Sequence, residues 1–566
     1  MSEADVIVVG SGPAGLTAAI AAALAGSRVL VLEKTDLLGG TGAWSGGAAW
    51  VPCNPLMDAD GVPDSFDAAQ AYIRAVAGNL PDERMIATFL EQGPKVVAHL
   101  ETRTTAVRFS SYGGSDYHPE LAGATPRARS LLPLPYDGRE LGSFLKLMRG
   151  PMPELTVFGG MQVDAAEAVD LQYSWKRWRS FKVATRLMAR YAIDLLRYRR
   201  GTRMIRGQAL IARLLRSAID LGVEFQTSSK VEELLYVKGR VVGVRARRSS
   251  SLVDVKVVRG VVLATGGFSA NPALVERHFP FPDKHLRVMP SANMGEGLQM
   301  AQAVGATMDQ ENADNGIWMP ASSHRFPSGK IARYPHFAFD RCKPGALIVD
   351  KSGERFVNEA APYHVLVRAM HARGAVPAWL IGDKRFLRKY GMGIARPFPY
   401  PYRKFVRQGY LIEGATLTEL AAKLSINHQG LLDTVARMNR FAMSGVDEDF
   451  GKGGDMFTRA LGDQEHGLNP CLGSIDRSGP FFALALYPSD CGSTLGLRTN
   501  ENAQVLGRSG QPIEGLYACG LDMNSVLRGN YPGAGTMIGP AITFGYLAGS
   551  HAASLWESPQ SADERA

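Results

Sequence analysis

The feature that most constrains this chain is the run from Asp5 to Glu33, where an apolar strand breaks into a glycine-rich turn and an alanine-rich helix. Gly10, Gly12 and Gly15 are spaced as G-x-G-x-x-G. The first glycine permits a tight turn, the second lets a pyrophosphate approach the backbone, and the third lets helix and strand pack closely. A diphosphate there would lie on the helix N-terminus, where free N–H groups favour an anion. Glu33 ends the next short strand, where a carboxylate binds the ribose hydroxyls. The run predicts dinucleotide binding.

The length and the cysteines limit what surrounds this motif. A chain of 566 residues exceeds what one hydrophobic core serves, so we expect at least two domains. The five cysteines form no C-x-x-C pair, which predicts reduced thiols with neither a disulfide framework nor a metal site. The N-terminus lacks the basic region of a signal peptide and runs straight into the first strand, so we expect a cytoplasmic protein.

Positive charge is concentrated in one segment. Ser174 to Arg206 contains eleven Lys or Arg residues and one acid, Asp194, whereas the whole chain has a formal net charge of only +9. At 100° per residue the segment forms an amphipathic helix. One side carries Trp178, Phe181, Ala184, Met188, Tyr191, Leu195 and Leu196, and the other carries Arg179, Lys182, Arg186, Arg190 and Arg197.

Two interpretations of this helix stay open. Aromatic and aliphatic residues opposite a dense arginine face are typical of a helix in a membrane interface, which would place the protein peripherally on the inner face of the cell membrane. The alternative is a surface helix whose apolar side packs on its own protein. Nucleic-acid binding is not predicted, because nothing else in the chain resembles a nucleic-acid module.

Glycine-rich strand ends recur at both ends of the chain. A dense loop spans Gly39 to Gly47, a buried strand ends in Ala264-Thr265-Gly266-Gly267, and a late strand ends at Gly520. The pattern predicts an α/β protein with a Rossmann-type nucleotide-binding domain built from both ends and an inserted α+β catalytic domain. We expect the first part at 1–316, with the basic insert at about 170–206. The catalytic domain should occupy 317–474 and the second part 475–566.

Several motifs together resemble one flavoprotein family. GSGPAG, LEK with GGTGAWSGG, VVLATGG and EGLYACG are similar to the family of fumarate reductases, succinate dehydrogenase flavoproteins and 3-ketosteroid dehydrogenases. The resemblance implies FAD, and noncovalent FAD because the loop from Gly39 to Gly47 contains no histidine. The implied cofactor-binding residues are Gly10, Gly12, Ala14, Gly15, Glu33, Lys34, Gly40, Thr41, Ser45, Gly46, Gly47, Ala264, Thr265, Gly266, Gly520, Gly535 and Ile538.

Within that family the chain resembles the 3-ketosteroid 1-dehydrogenases. The similarity lies in Asp116-Tyr117, in RFVNEAAPY ending at Tyr363, and in YPGAG from Tyr531 to Gly535. It implies that Tyr363 removes a proton from carbon 2 with support from Tyr117. It further implies that Tyr531 and the N–H of Gly535 bind the 3-keto oxygen. Taken singly, each tyrosine could instead be structural.

The implied reaction converts a 4-en-3-one into a 1,4-dien-3-one. Proton removal beside a carbonyl creates enolate charge on the oxygen, so fixed donors there stabilise the transition state. A phenol with a pKa of about 10 is a poor base at neutral pH. A second hydroxyl donating to it, as Tyr117 would, is expected to lower that pKa. Hydride passes from carbon 1 to flavin N5.

The chain departs from these relatives near the expected flavin. It has Ser493-Thr494-Leu495-Gly496 where relatives have Thr-x-Gly-Gly, and Leu521 where they have Asn. Substrate preference is therefore open between 3-ketosteroids and sterol-derived ketones that keep a side chain. The electron acceptor is expected to be a quinone or another acceptor. A fumarate-like or enone reductase remains an alternative, although no Arg and His set stands near Gly492 or Gly535. Another is a membrane-associated electron-transfer flavoprotein that docks through the basic helix.

Overall fold

The computed structural model describes residues 3–78, 82–309, 312–475 and 478–554. The strands are β1 (Glu3–Val9), β2 (Val29–Leu32), β3 (Ala49–Trp50), β4 (Phe109–Ser111), β5 (Ser130–Pro133), β6 (Tyr136–Asp137), β7 (Arg203–Met204), β8 (Glu224–Gln226), β9 (Ser229–Val237), β10 (Arg240–Arg248), β11 (Ser251–Leu263), β12 (Gly316–Arg325), β13 (Ile331–Pro335), β14 (Ala346–Val349), β15 (Ala378–Asp383), β16 (Ile412–Gly414), β17 (Phe481–Ser493), β18 (Gln504–Leu506) and β19 (Pro512–Ala518).

The helices are α1 (Pro13–Leu24), α2 (Pro55–Ala59), α3 (Phe66–Ala77), α4 (Glu83–Arg103), α5 (Ala165–Tyr173), α6 (Trp178–Tyr198), α7 (Arg206–Asp220), α8 (Pro272–His278), α9 (Glu296–Ala303), α10 (Tyr363–Arg373), α11 (Lys384–Tyr390), α12 (Arg403–Arg407), α13 (Leu417–Leu424), α14 (His428–Ser444), α15 (Met456–Leu461) and α16 (Ile538–Ser554).

An eight-stranded sheet forms the centre of the unit that contains the N-terminal strand. Strand β1 pairs in parallel with β2 and β11, and β11 pairs in parallel with β19. Val, Ile and Leu fill β2 and the last residues of β1 and β11, because both faces of the parallel part are covered. Parallel strands end at the same edge, so Gly10, Glu33, Ala264 and Gly520, which lie just past four of the strands, meet there. The predicted α/β class is confirmed.

The C-terminal helix closes this domain. Helix α16 packs along α1, with Gly545 and Gly549 against the backbone carbonyls of Ala14 and Ala18. A side chain at either glycine would collide with those carbonyls, so the close approach requires glycine. The first and last parts of the chain therefore build one unit.

A six-stranded sheet forms the inserted unit. Its central strand, β17, pairs antiparallel with β12, β15 and β16. Strand β12 starts at Gly316, and β17 lies beyond residue 474. Strand pairing therefore extends the sheet of the inserted unit to Ser493, and the domain bounds 1–316, 317–474 and 475–566 stay a prediction. The distant partners of β17, not its local sequence, decide this assignment.

The basic segment forms a helical hairpin, α5 packed on α6. The side of α6 that faces the protein carries Ser180, Ala184 and Asp194, which are buried. Asp194 accepts hydrogen bonds from the N–H and the hydroxyl of Thr202, at 2.8 and 2.9 Å. The predicted amphipathic helix is thus present, and its inward side is a narrow strip of small and polar residues.

The larger apolar residues of α6 point outward. Trp178 is 70% exposed and Leu196 is 86% exposed. We call the apolar strip Trp178, Phe181, Met188, Leu195 and Leu196, all of which are exposed. The interpretation in which the apolar side packs on its own protein therefore fails for these residues. No helix in the described ranges combines the length and apolarity needed to cross a bilayer.

Candidate functional site

The turn between β1 and α1 forms a cradle for a phosphate. Gly10 has φ +108°, and a side chain there would collide with the carbonyl of Ala264. Gly12 precedes α1 without a side-chain cap, and no atom lies within 4 Å of the point where its side chain would start. The first N–H groups of the helix are therefore open to a ligand. The residues present fit the diphosphate of FAD.

Glu33 is fixed in place at the end of β2. Its carboxylate accepts hydrogen bonds from the N–H and hydroxyl of Ser11, at 3.2 and 2.7 Å, and from the N–H and hydroxyl of Thr35, both at 2.9 Å. These four bonds orient the group that the sequence predicts to bind ribose. Ser11 and Thr35 were not predicted, although both neighbour the motif residues.

One cavity of about 820 Å³ joins the predicted cofactor residues to the predicted catalytic residues. Its lining includes every predicted site residue except Gly15. A side chain at Gly15 would collide with the carbonyl of Gly10, so this glycine serves the packing of the turn. Two predicted groups, remote in sequence, thus share one cavity.

Two further residues shape the cofactor end and were missed from the sequence. The amide of Asn293 donates to the hydroxyl of Thr41 at 2.9 Å. Buried Asp522 accepts from the N–H and hydroxyl of Thr265, at 2.5 and 2.9 Å, and from the N–H of Gly267 at 3.1 Å. Burial raises the pKa of Asp522, although these donors act in the opposite direction. Asp522 follows the glycine motif that ends β19 by two residues, which was an available signal.

Three tyrosines from remote segments meet at the other end of the cavity. The hydroxyl of Tyr363, at the start of α10, donates to the hydroxyl of Tyr531 at 2.7 Å. The ring of Tyr117 lies 6.0 Å from that of Tyr363 and 5.4 Å from that of Tyr531, centroid to centroid. The N–H of Tyr117 donates to the carbonyl of Pro532 at 2.8 Å, which ties the loop of Tyr117 to that of Tyr531.

Gly535 lies beside the hydroxyl of Tyr531. It has φ +93°, and a side chain would collide with the carbonyl of Ala48. Its backbone N–H is near the Tyr531 hydroxyl and acts to lower the pKa of that phenol, against the larger effect of burial. A hydroxyl and an N–H therefore converge where an oxyanion would need two donors.

The phenols are protonated at neutral pH. Burial raises the pKa of Tyr363 and that of Tyr117 well above the ordinary phenol value. Burial also raises the pKa of Tyr531. Contrary to the expectation, Tyr117 does not lower the pKa of Tyr363: desolvation by burial is the largest effect on that phenol, and the neighbouring Tyr117 acts in the same, raising direction.

Apolar groups surround the tyrosines. The ring of Phe337 lies 5.2 Å from that of Tyr363, and the ring of Phe457 lies 4.8 Å from that of Tyr117. The thiol of Cys491 lines the same space, 3.6 Å from the sulfur of Met319. Such walls suit a ligand with a large apolar body and one polar end. Within the described ranges, no group of three His, Cys, Asp or Glu side chains is placed to hold a metal ion.

A family profile described as "FAD binding domain" matches residues 5–538. With the fold and the cavity, this match defines the protein as an FAD-dependent dehydrogenase. The chain is 36% identical to 4-oxocyclohex-2-ene-1-carboxylate 5-dehydrogenase of Sinomonas cyclohexanicum, covering 97% of this chain and 94% of that one. It is 34% identical to 3-oxosteroid 1-dehydrogenase of Mycobacterium tuberculosis, covering 98% and 99%.

Solved structures give the same result. The crystal structure of 3-ketosteroid delta1-dehydrogenase from Sterolibacterium denitrificans, in complex with 1,4-androstadiene-3,17-dione, has a TM-score of 0.89 and 34% identity, covering 98% of this chain and 100% of that one. The chain belongs to the 3-ketosteroid 1-dehydrogenase family of FAD-binding flavoproteins.

Proposed function

We propose that the protein desaturates the bond between carbons 1 and 2 of a 3-ketosteroid, from a 4-en-3-one to a 1,4-dien-3-one. The observation that carries this proposal is the convergence of Tyr363, Tyr531 and the N–H of Gly535 in the cavity that continues into the FAD cradle. The related 3-oxosteroid 1-dehydrogenases support the choice of substrate.

The geometry supports separate roles for the two hydrogen-bonded tyrosines. Tyr531 and Gly535 present two donors that would bind the 3-keto oxygen and stabilise the enolate as carbon 2 loses its proton. Tyr363 is the base in this scheme. Because its hydroxyl is protonated and donates to Tyr531, Tyr363 has to release that proton to solvent before it accepts one from carbon 2. Bound FAD supplies the acceptor for the hydride that leaves carbon 1.

The direct test is anaerobic mixing of the purified protein with a 4-en-3-one steroid, with the oxidised flavin absorbance and the product both recorded. Bleaching of the flavin together with a 1,4-dien-3-one product is expected. An unchanged flavin spectrum across steroids with and without side chains, in protein that holds FAD, would contradict the proposal.

Smaller cyclic ketones are a second candidate substrate class. The relative that is 36% identical acts, by its name, on 4-oxocyclohex-2-ene-1-carboxylate, a ring ketone with a carboxylate opposite the carbonyl. The same donors at Tyr531 and Gly535 would serve that carbonyl. Parallel assays with this ketone and with a steroid separate the two candidates. The reductive alternative has no comparable support, because the cavity lining, as far as the described residues form it, includes no histidine.

Contact with a membrane surface also belongs to this proposal. Beside the exposed apolar strip, α6 carries a basic strip of Arg179, Lys182, Arg186 and Arg197, none of which pairs with an acid in the described part of the chain. An apolar strip next to unpaired cations complements an anionic lipid surface. The loop after the hairpin supplies Arg203 and Ile205 to the cavity lining. A sterol-derived ketone and a lipid-soluble quinone would then reach the protein from the same surface.

A further inference from the structure

Arg206 occupies an unusual backbone position at the start of α7. Its φ is +54°, in the left-handed region that side chains other than glycine rarely adopt. Its carbonyl carbon and the N–H that follows lie where a side chain at Gly47 would start, so the residue is anchored on the glycine-dense loop. Strained backbone of this kind is retained where the surrounding structure needs a side chain at one place. That side chain lines the cavity.

The side chains of two neighbouring arginines have hydrogen-bond or ion-pair partners, whereas the side chain of Arg206 has none among the described residues. Arg200 donates to the carbonyls of Leu145 and Met148, at 3.0 and 2.6 Å. Arg203 pairs with Glu167 at 2.8 Å. The side chain of Arg206 makes no ion pair and no hydrogen bond with any described residue. A half-buried guanidinium that faces a cavity without a partner is suited to an anion from a ligand.

The acids near Arg206 are already engaged. Asp164 accepts from the N–H of Glu167 at 2.9 Å as the cap of α5. The carboxylate of Glu167 accepts from Arg203 and from the N–H of Asp164. Burial lowers the pKa of Arg206, and these two acids and Tyr334 offset that cost only from a distance. Asp164 and Glu167 belong to the hairpin and Tyr334 to β13, whereas the backbone of Arg206 contacts the loop of Gly47.

Apolar side chains line the cavity that contains both this cation and the tyrosines. Tyr363 and Phe337 pack in one cluster with Leu155, and the turn that contains Leu155 packs on β13, the strand of Tyr334. The described cavity lining therefore combines donors for a carbonyl, apolar side chains and the Arg206 guanidinium, which has no hydrogen-bond partner.

Building on the proposed function, we propose that Arg206 is an anion subsite, and that the preferred substrate is a cyclic ketone that carries a carboxylate at the end remote from the carbonyl. A charge-assisted hydrogen bond to Arg206 would satisfy the guanidinium and fix the length of substrate that reaches from Arg206 to Tyr531. Neutral ketones of the same shape would bind without that contact.

The test compares the FAD-loaded protein with its Arg206→Met and Arg206→Lys variants. The measured quantity is the ratio of kcat/KM for a 4-en-3-one steroid with a side-chain carboxylate to that for the matching neutral steroid. Arg206→Met is expected to lower the ratio about tenfold or more, mainly through KM, and Arg206→Lys is expected to restore part of it. Arg277→Met, which removes an exposed charge on α8, is the matched control and should leave the ratio unchanged.

Two results would overturn the subsite. One is an equal loss with both substrates; the other is loss of FAD or a shifted flavin reduction potential in Arg206→Met, which would assign the cation to the cofactor. Binding of a saturated steroid carboxylate, followed through the flavin spectrum, tests the subsite without turnover. If the wild type binds that carboxylate through Arg206 but desaturates no steroid, the proposed function fails while the anion subsite stands.

Discussion

The hydroxyl of Tyr363 donates a 2.7 Å hydrogen bond to the hydroxyl of Tyr531, although the two residues are 168 positions apart in the chain. Both are buried, and neither phenol is ionised at neutral pH. The proton of the Tyr363 hydroxyl therefore lies in the hydrogen bond between the proposed base and the proposed carbonyl donor. Substrate binding has to redistribute it, because Tyr531 is needed by the ketone oxygen and Tyr363 by carbon 2.

Removing the Tyr363 hydroxyl tests the base. Tyr363→Phe should retain FAD and lower kcat about a hundredfold or more with a 4-en-3-one, since general base catalysis contributes about 10² to 10⁴. Single-turnover flavin bleaching measures the effect. Tyr402→Phe, a partly buried tyrosine that packs on Phe482 away from the cavity, is the control. Near-normal bleaching in Tyr363→Phe would remove it from the proposed chemistry.

Tyr531→Phe is expected to lower kcat for a different reason from Tyr363→Phe. The oxygen-binding pair keeps the N–H of Gly535 but loses the hydroxyl, which should cost about 10² to 10³ in kcat, as for removal of one oxyanion donor. Binding of a saturated 3-ketosteroid should weaken less than kcat falls, because enolate charge develops only in the transition state. Equal losses in binding and in kcat would argue against an oxyanion role.

The raised phenol pKa predicts the pH profile. A base whose pKa is raised is mostly protonated at neutral pH, so the active phenolate fraction grows as pH rises. We expect the rate of flavin bleaching to keep rising up to and beyond the ordinary phenol value of about 10. Circular dichroism at each pH guards against unfolding. A plateau reached near pH 7 would contradict a buried phenol as the base in the bound complex.

Asp522 should control FAD retention. Asp522→Ala removes the acceptor for three donors on the turn from Thr265 to Gly267 and leaves buried N–H groups unpaired. We expect a loss of about 2 to 5 kcal/mol in unfolding free energy and FAD that dissociates during gel filtration. Asp283→Ala, in the surface turn after α8, is a suitable comparison. Full retention of FAD in Asp522→Ala would show that the turn holds its shape without this carboxylate.

Charge reversal tests the membrane surface. A variant with Lys182→Glu, Arg186→Glu and Arg197→Glu should lose at least tenfold in affinity for anionic vesicles, because each cation contributes about 1 kcal/mol near such a surface. Flotation with anionic and with zwitterionic vesicles measures this. Lys95→Glu, on α4 outside the hairpin, controls for net charge. If the triple variant floats with anionic vesicles as well as the wild type does, the hairpin does not bind the membrane surface through these cations.

The sequence was sufficient to predict those parts of the structure in which the spacing of residues sets the local backbone conformation. The turn at Gly10, Gly12 and Gly15 was predictable because glycine spacing sets its dihedral angles and its approach to α1. The amphipathic period of α6 was predictable for the same reason, since helix geometry alone decides which side chains share a face. Which of those faces is covered was not predictable.

Tertiary structure decided everything that depends on distant partners. Strand β17 joined the inserted sheet because β12, β15 and β16 pair with it, and no local pattern near residue 474 contains that information. The protonation of Tyr363 also went against the sequence-based expectation, because desolvation depends on which side chains fold over a phenol. The sequence by itself determined the cofactor cradle; the fold determined the charge state of the tyrosines and left the cation of Arg206 facing the cavity.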